Sequence, residues 1–307
     1  MRALLLLIAA VACAAEPSEK DVAAWIAREG GSIERDAGGR VIAVNLRAAW
    51  ITDSDLDRLL SLPRLAFLDL ARTHITDLGM ERLGRLPGIT RLDLSYVEHI
   101  TDAGIAHLKR WKKLERLDLR GTRITDTTLE HLATLTSLES LDVGFSEITN
   151  NGLDRLTALP NLVELSLGGN KLSDTGLQFL KLLPGLKRLD LHGQQRTDSG
   201  LWSVTLTDSG LDAVVALAHL EDLNLAGSKI TDVGVARLAA LRDLRSLDLS
   251  GTQVSAKGLE SLAALKNLRK LVLWKCPRVD ETALAVLKKM PQVEYLDTGE
   301  TKIASAP

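Results

Sequence analysis

Leucines recur along this chain in a strand word, L-x-x-L-D-L, which is followed by I-T-D-x-G-L. The pair returns about every 24 residues, as LAFLDLARTHITDLGM from Leu65, LERLDLRGTRITDTTL from Leu114 and LEDLNLAGSKITDVGV from Leu220. In LERLDL, Leu114, Leu117 and Leu119 read inward and Arg116 and Asp118 outward, the alternation of a half-buried strand. Ile124 then returns to the core across a turn. Thr125 predicts a helix N-cap and Asp126 falls in the first turn, where the helix dipole favours an acid. Leu129, Leu132 and Leu135 carry the apolar stripe on at helical spacing. Each unit is strand, turn and helix. It is too small to bury its own apolar face, so its neighbours must stack on it.

The last leucine of each strand word falls at Leu46, Leu70, Leu94, Leu119, Val143, Leu167, Leu191, Leu225, Leu249 and Leu273, with Thr298 in the final copy. Most steps are 24 residues. Two are 25, with the extra residue placed near Val97-Glu98-His99 and Cys276-Pro277-Arg278. The step from Leu191 to Leu225 is 34, and within it T-D-S-G-L at 197–201 recurs at 207–211. Leu206 supplies the apolar plug before the second copy, whereas Arg196 stands in that place before the first. The helix start therefore goes to Thr207, and 194–205 is expected as a loop carrying Trp202, with a ten-residue insertion near 195–204. That insertion reads either as a neutral surface duplication or as a binding loop beside the strands.

These repeats resemble leucine-rich repeat proteins over about Val41 to Ile303. The resemblance implies an α/β fold, a right-handed horseshoe solenoid with parallel strands on the concave face and helices on the convex one. The I-T-D-x-G-L helix start is similar to the cysteine-containing subtype of F-box ubiquitin-ligase receptors and many bacterial proteins. In that subtype a Cys commonly lies three residues past the last strand leucine. Here that column holds Thr73, Thr122, Ser146, Asn170, Ser228, Thr252 and Thr301, with a cysteine only at Cys276, and reads as turn-bonding polar groups.

The ends differ from the middle. Residues 1–15 combine one Arg, an apolar run and small residues before a polar stretch, the layout of a secretory signal peptide. Ala10-Val11-Ala12-Cys13 also resembles a bacterial lipobox, which would place a lipid on Cys13. Residues 16–40 are expected as an N-terminal cap, a helix with Val22, Trp25 and Ile26 inward and then a hairpin strand. The solenoid then runs over 41–307 in about 10–11 repeats. It ends without a recognisable polar cap, so the expected state is a monomer or weak self-association through the C-terminal edge.

The 38 basic and 40 acidic side chains leave a formal net charge of -2, which removes the usual electrostatic signature of nucleic-acid binding. No run after the leader is long and apolar enough for a membrane helix. No nucleophile triad, phosphate-binding glycine loop or zinc spacing stands out, so neither enzymatic activity nor a cofactor is expected. An acidic column (Asp69, Asp93, Asp118, Asp142, Asp190, Asp248, Asp297) is expected on the concave face. It could attract a cation or a basic partner, or be neutralised sideways by Arg91, Arg116, Arg188 and Lys270. His107 and His131 occupy equivalent helix positions and read as solvated surface. Tyr96, Phe145, His192, Trp202 and Trp274 are the candidate partner-binding residues, because large rings on an otherwise aromatic-poor concave side are anchor-like. These features point to an exported, non-catalytic protein-binding scaffold, secreted or periplasmic. The alternatives are an F-box-like substrate receptor or secreted effector, and an architectural envelope lipoprotein held through Cys13.

Overall fold

The computed structural model describes residues 17–86, 88–197 and 200–303. The signal-like leader and Cys13 lie outside them. The helix α1 (Glu19–Arg28) opens on a capping box, in which Asp21 N–H donates to Ser18 Oγ at 3.3 Å and Ser18 N–H to Asp21 Oδ2 at 3.1 Å. It buries Val22, Trp25 and Ile26. The strands β1 (Ser32–Arg35) and β2 (Val41–Asn45) pair antiparallel. Glu19 fastens α1 to this hairpin, accepting from Val41 N–H at 2.6 Å and ion-pairing with Arg35 and Arg40.

From β2 onward the strands are parallel: β3 (Phe67–Asp69), β4 (Arg91–Asp93), β5 (Arg116–Asp118), β6 (Ser140–Asp142) and β7 (Glu164–Ser166). The next strand in sequence, β8 (Leu172–Ser173), leaves this sheet, and β7 pairs with β9 (Arg188–Asp190). After β10 (Gln194–Thr197) and β11 (Gly200–Thr205) come β12 (Asp222–Asn224), β13 (Ser246–Asp248), β14 (Lys270–Val272) and β15 (Tyr295–Asp297). The result is one 12-stranded sheet in order β1-β2-β3-β4-β5-β6-β7-β9-β12-β13-β14-β15. It is an open leucine-rich repeat solenoid. Short α or 3₁₀ helices line the other side, and Leu68, Leu117, Leu189 and Leu247, at 0–2% exposure, fill the layer between.

The I-T-D-x-G word has a physical reason. The aspartate of one repeat accepts both the backbone N–H and the hydroxyl of the threonine in the next. Asp53 holds Thr76 at 2.8 and 2.7 Å, Asp77 holds Thr101 at 2.9 and 2.6 Å, and Asp102 holds Thr125 at 2.9 and 2.6 Å. The same pairing joins Asp126 to Thr149, Asp174 to Thr207, Asp208 to Thr231 and Asp232 to Ser255. Asn150 substitutes in its rung, accepting from Ser173 N–H and donating to its hydroxyl. The glycine clears space for this carboxylate. A Cβ on Gly152 would stand 2.6 Å from Asp126 Oδ1, and one on Gly104 would collide with Asp77. Three repeats lack the glycine: Asp55 and Ala283 stand at its place in the first and last helix starts, which face no such aspartate, and Thr128 faces Asp102 and donates its hydroxyl to it at 2.5 Å.

The tandem copy forms a second, smaller sheet. Instead of the expected loop, β10 and β11 make an antiparallel hairpin, and β11 pairs parallel with β8 through Val204↔Leu172 and Thr205↔Ser173. Trp202 and Val204 are buried and Ser203 and Thr205 are less so, the period-two pattern of a strand within the duplicated stretch. Trp202 is consequently turned inward at 9% exposure beneath Lys171 Nζ at 5.7 Å, and does not project as a binding side chain. Thr207 takes the rung position assigned to it, bonded to Asp174.

Replacing Asp102 by Ala orphans the Thr125 N–H and two hydroxyls. It should lower unfolding stability by about 2–4 kcal/mol. Asp102→Asn should cost less, because Asn150 fills the equivalent place. Urea midpoints of the three proteins check this, and equal midpoints for the Ala and Asn variants would refute the ladder's energetic role.

Candidate functional site

The parallel register sets the concave carboxylates directly opposite one another: Asp69↔Asp93, Asp93↔Asp118, Asp118↔Asp142. Neighbouring strands are about 4.8 Å apart, so these charges are crowded. Each carboxylate first serves its own turn by accepting the N–H two residues on. Asp93 holds Ser95 at 2.8 Å, Asp118 holds Arg120 at 2.9 Å, Asp142 holds Gly144 at 2.7 Å and Asp190 holds His192 at 2.9 Å. Asn45 and Asn224 make the same bond to Arg47 and Ala226, so the column needs an acceptor and not a charge.

Neutralisation does not run through the cations expected from the strand pattern. Arg116 and Arg188 turn to Glu164. Asp69 and Asp93 are instead bridged by Arg47, at 3.0 and 2.5 Å, and Asp142 lies 3.6 Å from Arg120. Arg188 sits directly opposite Glu164 in the neighbouring strand, and Arg116 reaches the same carboxylate across Ser140. Asp118 is left poorly compensated. Burial, then the Asp142 and Asp93 charges, push its carboxyl up to about 7 against the opposing bond from Arg120 N–H. Burial raises Asp142 as well, although Gly144 N–H and Arg120 oppose the shift.

Arg120 organises the rim beside this column. Its guanidinium covers the Phe145 ring at 4.5 Å and donates through Nε to the Tyr96 hydroxyl at 3.1 Å. It also lies 3.4 Å from His192 Nε2. His192 tilts against Phe145, with ring centroids 5.6 Å apart, and meets Asp190 Oδ1 through Nδ1 at 2.5 Å. Burial works against the Arg120 charge, but the Tyr96 hydroxyl and the Asp142 carboxylate outweigh it and hold its pKa above the ordinary value. Tyr96, Phe145 and His192 are thus brought together by a residue that the sequence reading passed over. A signal for it exists. The position after the last strand leucine is small in most repeats (Ala71, Ser95, Gly144, Gly168, Ala226, Ser250, Gly299) and large only at Arg47, Arg120, His192 and Trp274.

The next column explains the rings. Tyr96 at φ 59° and Phe145 at φ 53° adopt the left-handed conformation that Gly121 and Gly169 take in neighbouring repeats, at 69° and 72°. For a residue with a side chain this costs roughly 1–2 kcal/mol. Packing offsets it. The Tyr96 ring lies over Gly121, where a Cβ would stand 2.7 Å from it, and Phe145 lies over Gly169, where a Cβ would stand 2.8 Å away. Phe145 is therefore half-buried, and Tyr96 keeps 43% of its surface exposed.

Trp274 stands apart from this cluster. At 39% exposure it lies under Lys275 Nζ at 4.0 Å and against Gly299. Cys276 is buried, its thiol donating to Leu249 O at 3.1 Å and pushed up in pKa by burial, which leaves it a turn residue. Burial and Lys109 hold the His131 imidazole below its ordinary pKa. Among the described residues no cluster of three or more His, Cys, Asp or Glu is arranged to hold a metal, and no helix is long and apolar enough to cross a membrane.

The comparisons agree with this architecture. A family model described as Leucine Rich repeat matches residues 134–156, 158–181, 216–239 and 240–263. No curated protein matches the chain. Among solved structures, an internalin from Listeria monocytogenes superposes with a TM-score of 0.63 at 18% identity, covering 94% of this chain and 89% of that one. An internalin C2 from the same organism is 26% identical over 76% of this chain and 80% of its own, with a TM-score of 0.45. The chain has a leucine-rich repeat fold, and the family model matches four of its repeats.

Because the folded Asp118 carboxyl sits far above its ordinary value, the folded state binds a proton that the unfolded chain has lost. This contribution is fully present below about pH 4 and disappears as the pH rises through about 7. Asp118→Asn keeps the acceptor for Arg120 N–H. It should raise stability at pH 8 by roughly 1–3 kcal/mol while changing little at pH 4. Denaturant curves at the two pH values test this, and a variant destabilised equally at both would refute it.

Proposed function

We propose that this chain is an exported, non-catalytic scaffold that binds a protein partner on the concave face between the Tyr96–Arg120–Phe145–His192 cluster and the acidic column. The carrying observation is the cluster itself. Rings and a guanidinium, the side chains that dominate interface energetics, lie beside carboxylates that their own cations leave partly unneutralised. The general use of leucine-rich repeat solenoids as protein-interaction scaffolds supports this reading, and the signal-like residues 1–15 support export.

The partner presents basic side chains. A lysine or arginine approaching Asp118 stabilises its ionised form, so binding releases a proton and strengthens as the pH rises from 6 to 8. Trp274 is too far along the sheet to join the cluster and serves as an outlying contact. Attachment through Cys13 is a second reading, carried by the lipobox-like Ala10-Val11-Ala12-Cys13. Mass analysis of the native N-terminus distinguishes a lipid-modified from a free chain.

Partners captured from envelope and secreted fractions by the mature chain should bind a Tyr96→Ala/Phe145→Ala variant at least tenfold more weakly. Asp118→Asn should remove most of the pH dependence. Unchanged affinity in the folded double variant would place the interface elsewhere.

A further inference from the structure

A second surface lies on the strand-to-helix turns of the first repeats, away from the carboxylate column. Trp50 is 84% exposed, an unusual state for an indole in a folded domain, and its ring stacks on His74 at 5.0 Å with an interplanar angle of 14°. In the following repeats Arg72 lies over the Tyr96 ring at 5.3 Å. A shallow open cleft is lined by Arg72, His74, Tyr96, Glu98 and His99. It falls where the extra residue of the 25-residue step is accommodated, with Val97 and Ile100 buried and Glu98 and His99 turned out to solvent.

The chemistry of this cleft is specific. Among the described residues the Arg72 guanidinium has no ion-pair partner, and its N–H edge is free to meet a carboxylate with paired hydrogen bonds. Trp50 and His74 cover one face of each other at the edge of the cleft, and the other face of the largely exposed indole suits the C–H face of a pyranose. Glu98 and the two imidazoles add acceptors and donors, as a ring of hydroxyls requires, since each hydroxyl both donates and accepts. The cleft is too open to enclose an apolar ligand. With no cluster of three metal-ligating side chains among the described residues, it is not a metal site either.

We propose that this turn surface binds an acidic saccharide. A sugar ring lies along the His74–Trp50 stack, and its carboxylate pairs with Arg72. The cleft shares Tyr96 with the concave cluster, but Trp50 and Arg72 belong to the turn surface alone, so substitutions there test the saccharide site without touching the concave interface.

The probe is tetragalacturonate, titrated into the full chain by calorimetry, with saturation-transfer NMR reporting which protons of the sugar touch the protein. Saturable binding is expected, weakened at least tenfold by Trp50→Ala and at least tenfold by Arg72→Ala, and weakened by added salt. Both side chains are exposed, so thermal midpoints should be unchanged and a lost ligand cannot be ascribed to unfolding. Neutral galactotetraose should bind at least tenfold more weakly than the acid, and tetraglutamate should not compete. Equal competition by tetraglutamate would show that charge alone is recognised and would overturn the saccharide assignment. Absence of binding at millimolar probe, or affinity unchanged in both variants, would overturn the site.

Discussion

The structure depends on one bond pattern, the grip of each repeat's helix-start aspartate on the threonine of the next. Leucine packing is non-directional and would tolerate sliding between layers, because every layer presents nearly the same apolar surface. The aspartate–threonine pairs are directional and partly buried, and they satisfy the N–H at the mouth of each helix as they lock the register. Glycine at the third position past the threonine is a consequence of this bond and not a separate preference. Thr128, the residue that replaces it opposite Asp102, adds a hydroxyl to the same carboxylate. The I-T-D-x-G helix start therefore has a structural explanation that needs no particular partner or activity.

The register imposes a cost on the other side of the molecule. Each concave aspartate is placed to close its own turn, and parallel in-register pairing then sets carboxylate against carboxylate. Where Arg47 reaches across two strands the crowding is relieved. At Asp118 it is not, because Arg120 is drawn along the rim by Tyr96, Phe145 and His192. The same geometry that closes the turn thus leaves a poorly compensated charge in the middle of an open face. A side chain that was structural in origin becomes the group most responsive to an arriving cation.

The rings on the rim carry a comparable double role. Tyr96 and Phe145 hold the left-handed turn conformation against steric cost, and they recover it by lying on the glycines of later repeats. Sequence position identified them as outward-facing, which is correct for Tyr96 and only half correct for Phe145. Trp202 shows where that reasoning fails. A duplicated phrase looked like surplus length, yet its residues add a strand to a second sheet, and the indole goes inward.

From the sequence alone the repeat period, the leucine core, the parallel strands, the helix starts and the polar turn column could all be read. Each is a local or nearest-neighbour property, and a solenoid is assembled from little else. The link between Arg120 and residues as far along the chain as His192 could not be read, nor could the turning of Arg116 and Arg188 to Glu164 instead of the aspartates. Side-chain reach across several rungs decides these pairings. The lone guanidinium at Arg72 and the stacked Trp50–His74 pair likewise required the turns to be set side by side. Periodicity determines which residues share a face, and only the packed structure decides which of them meet.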